Sequence, residues 1–188
     1  MGKVFCTSDH HFGHAKIIEY ANRPYNSVEE MDEDLIKRWN ETVSNDDIVF
    51  HLGDFAFGSV EKQKSYFDRL HGVKYLILGN HDCSASRMER IGFINPVKNH
   101  MCRYGDIDIH MVHNPDHAKG LAIEEIVLFG HLHNTKSQKY DNMYTWVNCC
   151  VENWDYRPVS MDDILASIGK RLIVSIFGLN EIFKVKND

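Results

Sequence analysis

The chain has 188 residues, 43% hydrophobic and 26% charged, which suits a single globular domain with a real core. Its 21 basic and 27 acidic residues give a formal charge of −6, so a broad basic face for extended nucleic-acid binding is not expected, though a local basic pocket stays open. The five cysteines (Cys6, Cys83, Cys102, Cys149, Cys150) are odd in number and lack CxxC spacing, which argues against a disulfide framework or a thiolate zinc site.

In chain order, Met1 to Asp9 reaches an acidic residue before any signal-peptide core develops, and Cys6 stands where a myristoylation signal needs Ser or Thr. No apolar run is long enough to span a bilayer, so a cytoplasmic protein without a membrane partner is expected. Val4–Thr7 reads as a strand. Ser27-x-x-Glu30 is a capping box, and Met31, Leu35, Trp39 and Val43 behind it form a buried helical stripe. Ile48–Leu52 reads as a second strand, Ser59 caps a helix through Leu70, and Val73–Leu78 is a third strand. Ile107–Val112 alternates Ile107, Ile109 and Met111 on one face; Ile126–Phe129 and Tyr144–Val147 follow. Ser160 caps a helix over Met161–Ile168, with Asp162 and Asp163 in its first turn. The β-branched run Leu172–Phe177, broken by Gly178, reads as added strand covering a sheet edge or a dimer partner. The fold class is α/β (α+β), with one domain over 1–168 and an extension over 169–188.

Twelve histidines are the unusual feature, and five strands end in polar clusters. These clusters are Asp9-His10-His11, Gly53-Asp54, Gly79-Asn80-His81-Asp82, His113-Asn114 and Gly130-His131-Leu132-His133. On a strand, residues i and i+2 share a face, which pairs Asp9 with His11 and His131 with His133 and turns His10 away. The glycines sit where the chain turns sharply or passes close to a ligand. Carboxylate, carboxamide and imidazole donors without sulfur suit two divalent ions of Mn, Fe or Zn type, with Asp54 the natural bridging carboxylate. Such a pair clamps a phosphoryl group and activates a shared water as hydroxide near neutral pH.

At these residues the chain resembles the calcineurin-like metallophosphoesterase superfamily, over about positions 1–165. Thr7 to His14, His51 to Phe55 and Trp154 to Ser160 are similar to a branch of small bacterial and phage members. The resemblance implies two packed mixed sheets flanked by helices, an α/β/β/α sandwich. One metal would be held by Asp9, His11, Asp54 and His133, and the other by Asp54, Asn80, His113 and His131. His81 would contact the phosphate and protonate the leaving oxygen, and Asp82 would orient His81. The implied function is hydrolysis of a phosphate ester, favoured as a phosphodiester such as a nucleotide; a phosphomonoesterase and a non-catalytic metal-binding scaffold are the alternatives. The chain departs from the family at Cys149-Cys150, where relatives carry small or aliphatic residues, and in the tail after Gly169.

Two residues outside the motifs are candidate substrate contacts. Arg23, in Asn22-Arg23-Pro24, could bind phosphate from a loop, against the alternative of an ordinary surface arginine. His14 could touch substrate beside the first ligand pair, against simple packing at a helix start.

Overall fold

A computed structural model of the chain describes residues 2–118, 120, 125–135 and 145–177, with side chains as far as residue 169 in the last helix. Its elements run β1 (Val4–Thr7), α1 (Lys16–Tyr20), α2 (Val28–Thr42), β2 (Ile48–His51), α3 (Val60–Phe67), β3 (Val73–Ile77), α4 (Ala85–Ile91) and β4 (Ile94–Val97). There follow β5 (Asn99–Tyr104), β6 (Ile107–Val112), β7 (Ile126–Phe129), β8 (Trp146–Asn148), β9 (Val159–Ser160) and α5 (Met161–Phe177), with short 3-10 turns at Pro115–Ala118 and Val151–Asn153.

Two mixed sheets form. The first has the order β4-β3-β2-β1-β9, parallel except for β9, and the second has the order β5-β6-β7-β8, with only β5 antiparallel. Period-two alternation sorts each strand between two cores. Phe5, Val49 and Leu76 join Met31, Leu35 and Trp39 of α2 in one cluster. Their neighbours Cys6 and Ile77 face the other way and meet Ile109, Met111, Leu128 and Val147 of the second sheet. Met161, Ile164 and Ile168 of α5 close that inter-sheet core. Val127 and Phe129 turn outward to a third cluster with Trp146.

The local signals explain the helix starts. Ser27 Oγ accepts from the Glu30 amide at 3.1 Å, while the Glu30 carboxylate reaches back to the Asn26 amide at 2.8 Å rather than to that of Ser27. Ser59 Oγ accepts from the Lys62 amide, and Ser160 Oγ from the Asp163 amide. α3 stops at Phe67, before the expected Leu70. Among the described residues no helix is long and apolar enough to cross a membrane.

The strand expected over Leu172–Phe177 is instead the continuation of α5, so the expected boundary between domain and extension falls inside one helix. Each residue added to an existing helix gains a hydrogen bond without a new nucleation cost, which outweighs the modest β-preference of Ile and Val. Tyr144 and residues 178–188 lie outside the described residues.

Candidate metal centre

All seven side chains read as metal donors come together at the carboxyl ends of β1, β2, β3, β6 and β7, where the sheets meet. They are not on the strands themselves. β1 ends at Thr7 and β7 at Phe129, and Asp9, His11, Asp54, His131 and His133 all have positive φ, between 49° and 71°. Left-handed backbone in five non-glycine residues is sparsely populated and costly, and strain of this kind collects at functional sites. The tight approach also accounts for two glycines. A Cβ at Gly79 would run into the Asp54 carboxylate, and one at Gly130 into Ser8 and Asp9.

Asp9 shows how the centre is set. Its Oδ2 accepts from Ser8 Oγ, from the His131 amide at 2.9 Å and from Cys150 Sγ at 3.2 Å. Its Oδ1 is buried without a partner and lies 3.6 Å from both His11 Nε2 and His133 Nε2. His11 Nε2 is likewise buried without a hydrogen bond, and it lies 3.6 Å from Asp54 Oδ2. These separations exceed hydrogen-bond length. They lie close to the ~3.0–3.5 Å spacing of atoms that sit ~2.1 Å from one shared ion.

On the other side, Asp54 Oδ2 is 3.4 Å from His113 Nε2. Asn80 Oδ1 is 2.9 Å from both His113 Nε2 and His131 Nδ1. His113 Nδ1 lies 2.7 Å from the Leu52 carbonyl and His133 Nδ1 lies 2.9 Å from Glu152 Oε1. Each Nδ1–H donates outward, which leaves the Nε2 lone pair facing the cluster. The donor set, its orphaned buried atoms and its tautomers fit a divalent cation.

The electrostatics agree. Burial pushes the Asp9 carboxyl up, but the neighbouring imidazoles of His11, His113 and His133 outweigh it and hold it well below the usual range. Burial also opposes a cation at His113, yet Asp54 and Asp9 raise it to about 9. A metal cation loading here therefore displaces a proton.

His81 is exposed at the edge of the cluster; its amide donates to Asp54 Oδ1 at 2.8 Å, and its ring lies 5.6 Å from that of His11. Asp82 does not hydrogen-bond this ring. Its carboxylate accepts instead from the amides of Asp54, Phe55 and Gly79 at 2.8 to 2.9 Å, because it folds back under the two ligand loops. It clamps the β2 loop to the β3 loop and holds Asp54 and Asn80 in register.

Arg23 also departs from expectation, being neither a surface arginine nor open to a ligand. Its side chain is fully buried, donating to the Asp9 and His10 carbonyls and pairing with Glu152 at 2.6 Å. Glu152 and Arg23 thus tie the Asp9 loop to His133. Nothing in the sequence pattern marked Glu152, which lies 129 residues from Arg23. Cys150, flagged as a departure, supplies an S–H to Asp9, and burial keeps its thiol well above the ordinary range. His14 stacks on Phe57 with ring centroids 4.1 Å apart, next to the cluster.

Behind the centre, His10 and His51 are fully buried and 3.0 Å apart. The Gly53 amide donates to His51 Nδ1, so the His51 proton is on Nε2 and donates to His10 Nδ1. Burial depresses both rings, His51 to about 3 and His10 well below its ordinary 6.5. The unfolded chain therefore takes up protons below about pH 6.5 that the folded chain refuses. Stability is intact above that pH and falls as the pH drops toward 3, because protonation of either ring favours the unfolded chain. The raised His113 works in a separate window, between 6.5 and about 9, and does not offset the loss. The metal-free protein is expected to show a lower urea midpoint at pH 5 than at pH 7, and equal midpoints would contradict the buried neutral pair.

Two packed mixed sheets carrying a carboxylate–imidazole–carboxamide cluster at their strand ends define a metal-binding α/β protein. The chain matches the family model of the calcineurin-like phosphoesterase superfamily domain over residues 3–149 and belongs to that superfamily. It is 34% identical over 179 residues to an uncharacterised protein of Methanocaldococcus jannaschii, covering 93% of this chain and 96% of that one. It is 41% identical over 85 residues to the Gene 66 protein of Mycobacterium phage L5, covering 44% of this chain and 41% of the phage protein. In structure it is similar to a protein of unknown function from Aquifex aeolicus, with a TM-score of 0.71 at 21% identity over 87% of this chain and 98% of that one. Membership supports a metal-dependent phosphoesterase, a hydrolase acting on phosphate esters through divalent metal ions.

Proposed function

We propose that the chain hydrolyses a phosphodiester at a dinuclear centre. Asp9, His11, Asp54 and His133 hold one cation, Asp54, Asn80, His113 and His131 hold the other, and His81 acts as general acid. The observation that carries this is the position of Asp54 Oδ2, 3.6 Å from His11 Nε2 and 3.4 Å from His113 Nε2, so that one oxygen faces both donor groups. Manganese, iron or zinc suits these donors. When bound, two such cations would polarise the phosphoryl oxygens and make a water nucleophilic near neutral pH.

The chain's own residues do the rest. His81 is anchored through its amide to Asp54, which sets the imidazole beside the reacting phosphate, where it can deliver a proton to the departing oxygen. Asp82 fixes the same loop from below by its three amide contacts. Diester chemistry is favoured because a cleft of about 380 Å³ opens beside His11, His81 and His133 and leaves room for a second esterified group. Titration of metal-free protein with Mn²⁺ is expected to saturate at two ions per chain. Saturation at one ion would contradict the shared role of Asp54.

A further inference from the structure

The cleft beside the metal cluster has two unlike walls. His11, His81 and His133 form the wall toward the cluster, and Phe57, His14 and Tyr20 form the other. Phe57 is the hinge between them. Its ring lies 5.7 Å from His11, 5.3 Å from His81 and 4.1 Å from His14, stacked on the last at 25°. Its backbone amide donates to the Phe12 carbonyl at 2.8 Å, which pins the main chain that carries the ring. Tyr20 extends the wall, edge-on to His14 at 6.4 Å, and is 70% exposed. Among the described residues no carboxylate lines the cleft, and Lys16 is the permanent cation there.

A bare phosphate has no use for this surface. An aromatic wall next to a proton donor suits the group that departs with the ester oxygen, because that group must lie beside His81. We propose that the His14–Phe57–Tyr20 wall is the subsite for the leaving group and that it selects a planar aromatic or heteroaromatic ring, as in a nucleoside. The assignment rests on the phosphoesterase reading of the metal cluster, and it adds the chemical class of the ester. Tyr20 borders the subsite on its solvent side, and Lys16 stands within the same cleft to meet the ester's remaining charge.

Equilibrium binding separates the two layers. Adenosine 5′-monophosphate and ribose 5-phosphate share the phosphate and sugar and differ by the base. Adenosine 5′-monophosphate is expected to bind at least tenfold more tightly, by calorimetry on the metal-loaded protein and by shifts of the His14 and Tyr20 resonances on the metal-free protein. Tyr20→Ala should erase most of that difference without weakening ribose 5-phosphate, and Tyr20→Phe should keep it. Equal affinities for the two ligands, or a Tyr20→Ala protein with the full difference, would overturn the subsite. Metal-dependent hydrolysis of bis-p-nitrophenyl phosphate, run in parallel, reports on the phosphoesterase reading by itself, so the failure of either is visible without the other.

Discussion

Asp54→Asn is expected to lower hydrolysis of bis-p-nitrophenyl phosphate by about a thousandfold or more while leaving the fold intact. Asn is nearly isosteric and keeps an oxygen for the His81 amide, now 2.8 Å from Asp54 Oδ1, so the loop need not move. What disappears is the negative charge shared between the two donor groups, whose nitrogens lie 3.4 and 3.6 Å from Oδ2. Charge stabilisation by a pair of cations supplies several kcal/mol of transition-state binding, and about 4 kcal/mol corresponds to that factor. Circular dichroism and steady-state rates at saturating Mn²⁺ check both halves. A variant that folds and still turns over at the wild-type rate would remove Asp54 from the centre.

Glu152 should matter almost as much, through two separate effects. Its carboxylate is 2% exposed and meets the fully buried Arg23 guanidinium at 2.6 Å. In Glu152→Ala that cation is stranded in the core, at a cost of about 3–5 kcal/mol. The same substitution takes the acceptor from His133 Nδ1, and losing such a partner commonly weakens metal affinity by roughly 10–100-fold. Glu152→Gln keeps an acceptor for His133 but gives up the charge opposite Arg23, so it should recover metal affinity more fully than thermal stability. Melting curves paired with Mn²⁺ titrations of the two variants test this. If the Ala and Gln variants behave alike in both measurements, Glu152 fills space and does not position His133.

Much of the centre was legible because its chemistry is written in short local motifs. Asp9-x-His11 brings two donors to one place from three consecutive residues, His131-x-His133 gives one to each donor group, and the glycines beside Asp54 and Asn80 mark close approaches that leave no room for a side chain. Strand alternation is not what sets these side chains. Asp9, His11, His131 and His133 lie past the strand ends in left-handed backbone. Such φ values are set by what surrounds the loop, and a sequence pattern does not display them.

The supporting partners were not legible. Arg23, Glu152 and Cys150 act across 129 and 141 residues of chain, with no spacing rule to join them. The family resemblance makes Asp82 the partner of its neighbour His81, yet three amides from two loops compete for its carboxylate and win. β5 and β9 escaped notice because one is a polar edge strand and the other is two residues long. The opposite error befell Leu172–Phe177, whose β-branched composition gave way to the helix already running into it.

The most direct test is hydrolysis of bis-p-nitrophenyl phosphate beside p-nitrophenyl phosphate by the wild-type protein, with Mn²⁺ added and then removed by chelator. The dinuclear phosphodiesterase account predicts turnover of the diester above that of the monoester, abolished by chelation and restored by Mn²⁺. A preference for the monoester would make the protein a phosphatase, and no turnover of either ester by fully metal-loaded protein would contradict catalysis at this centre.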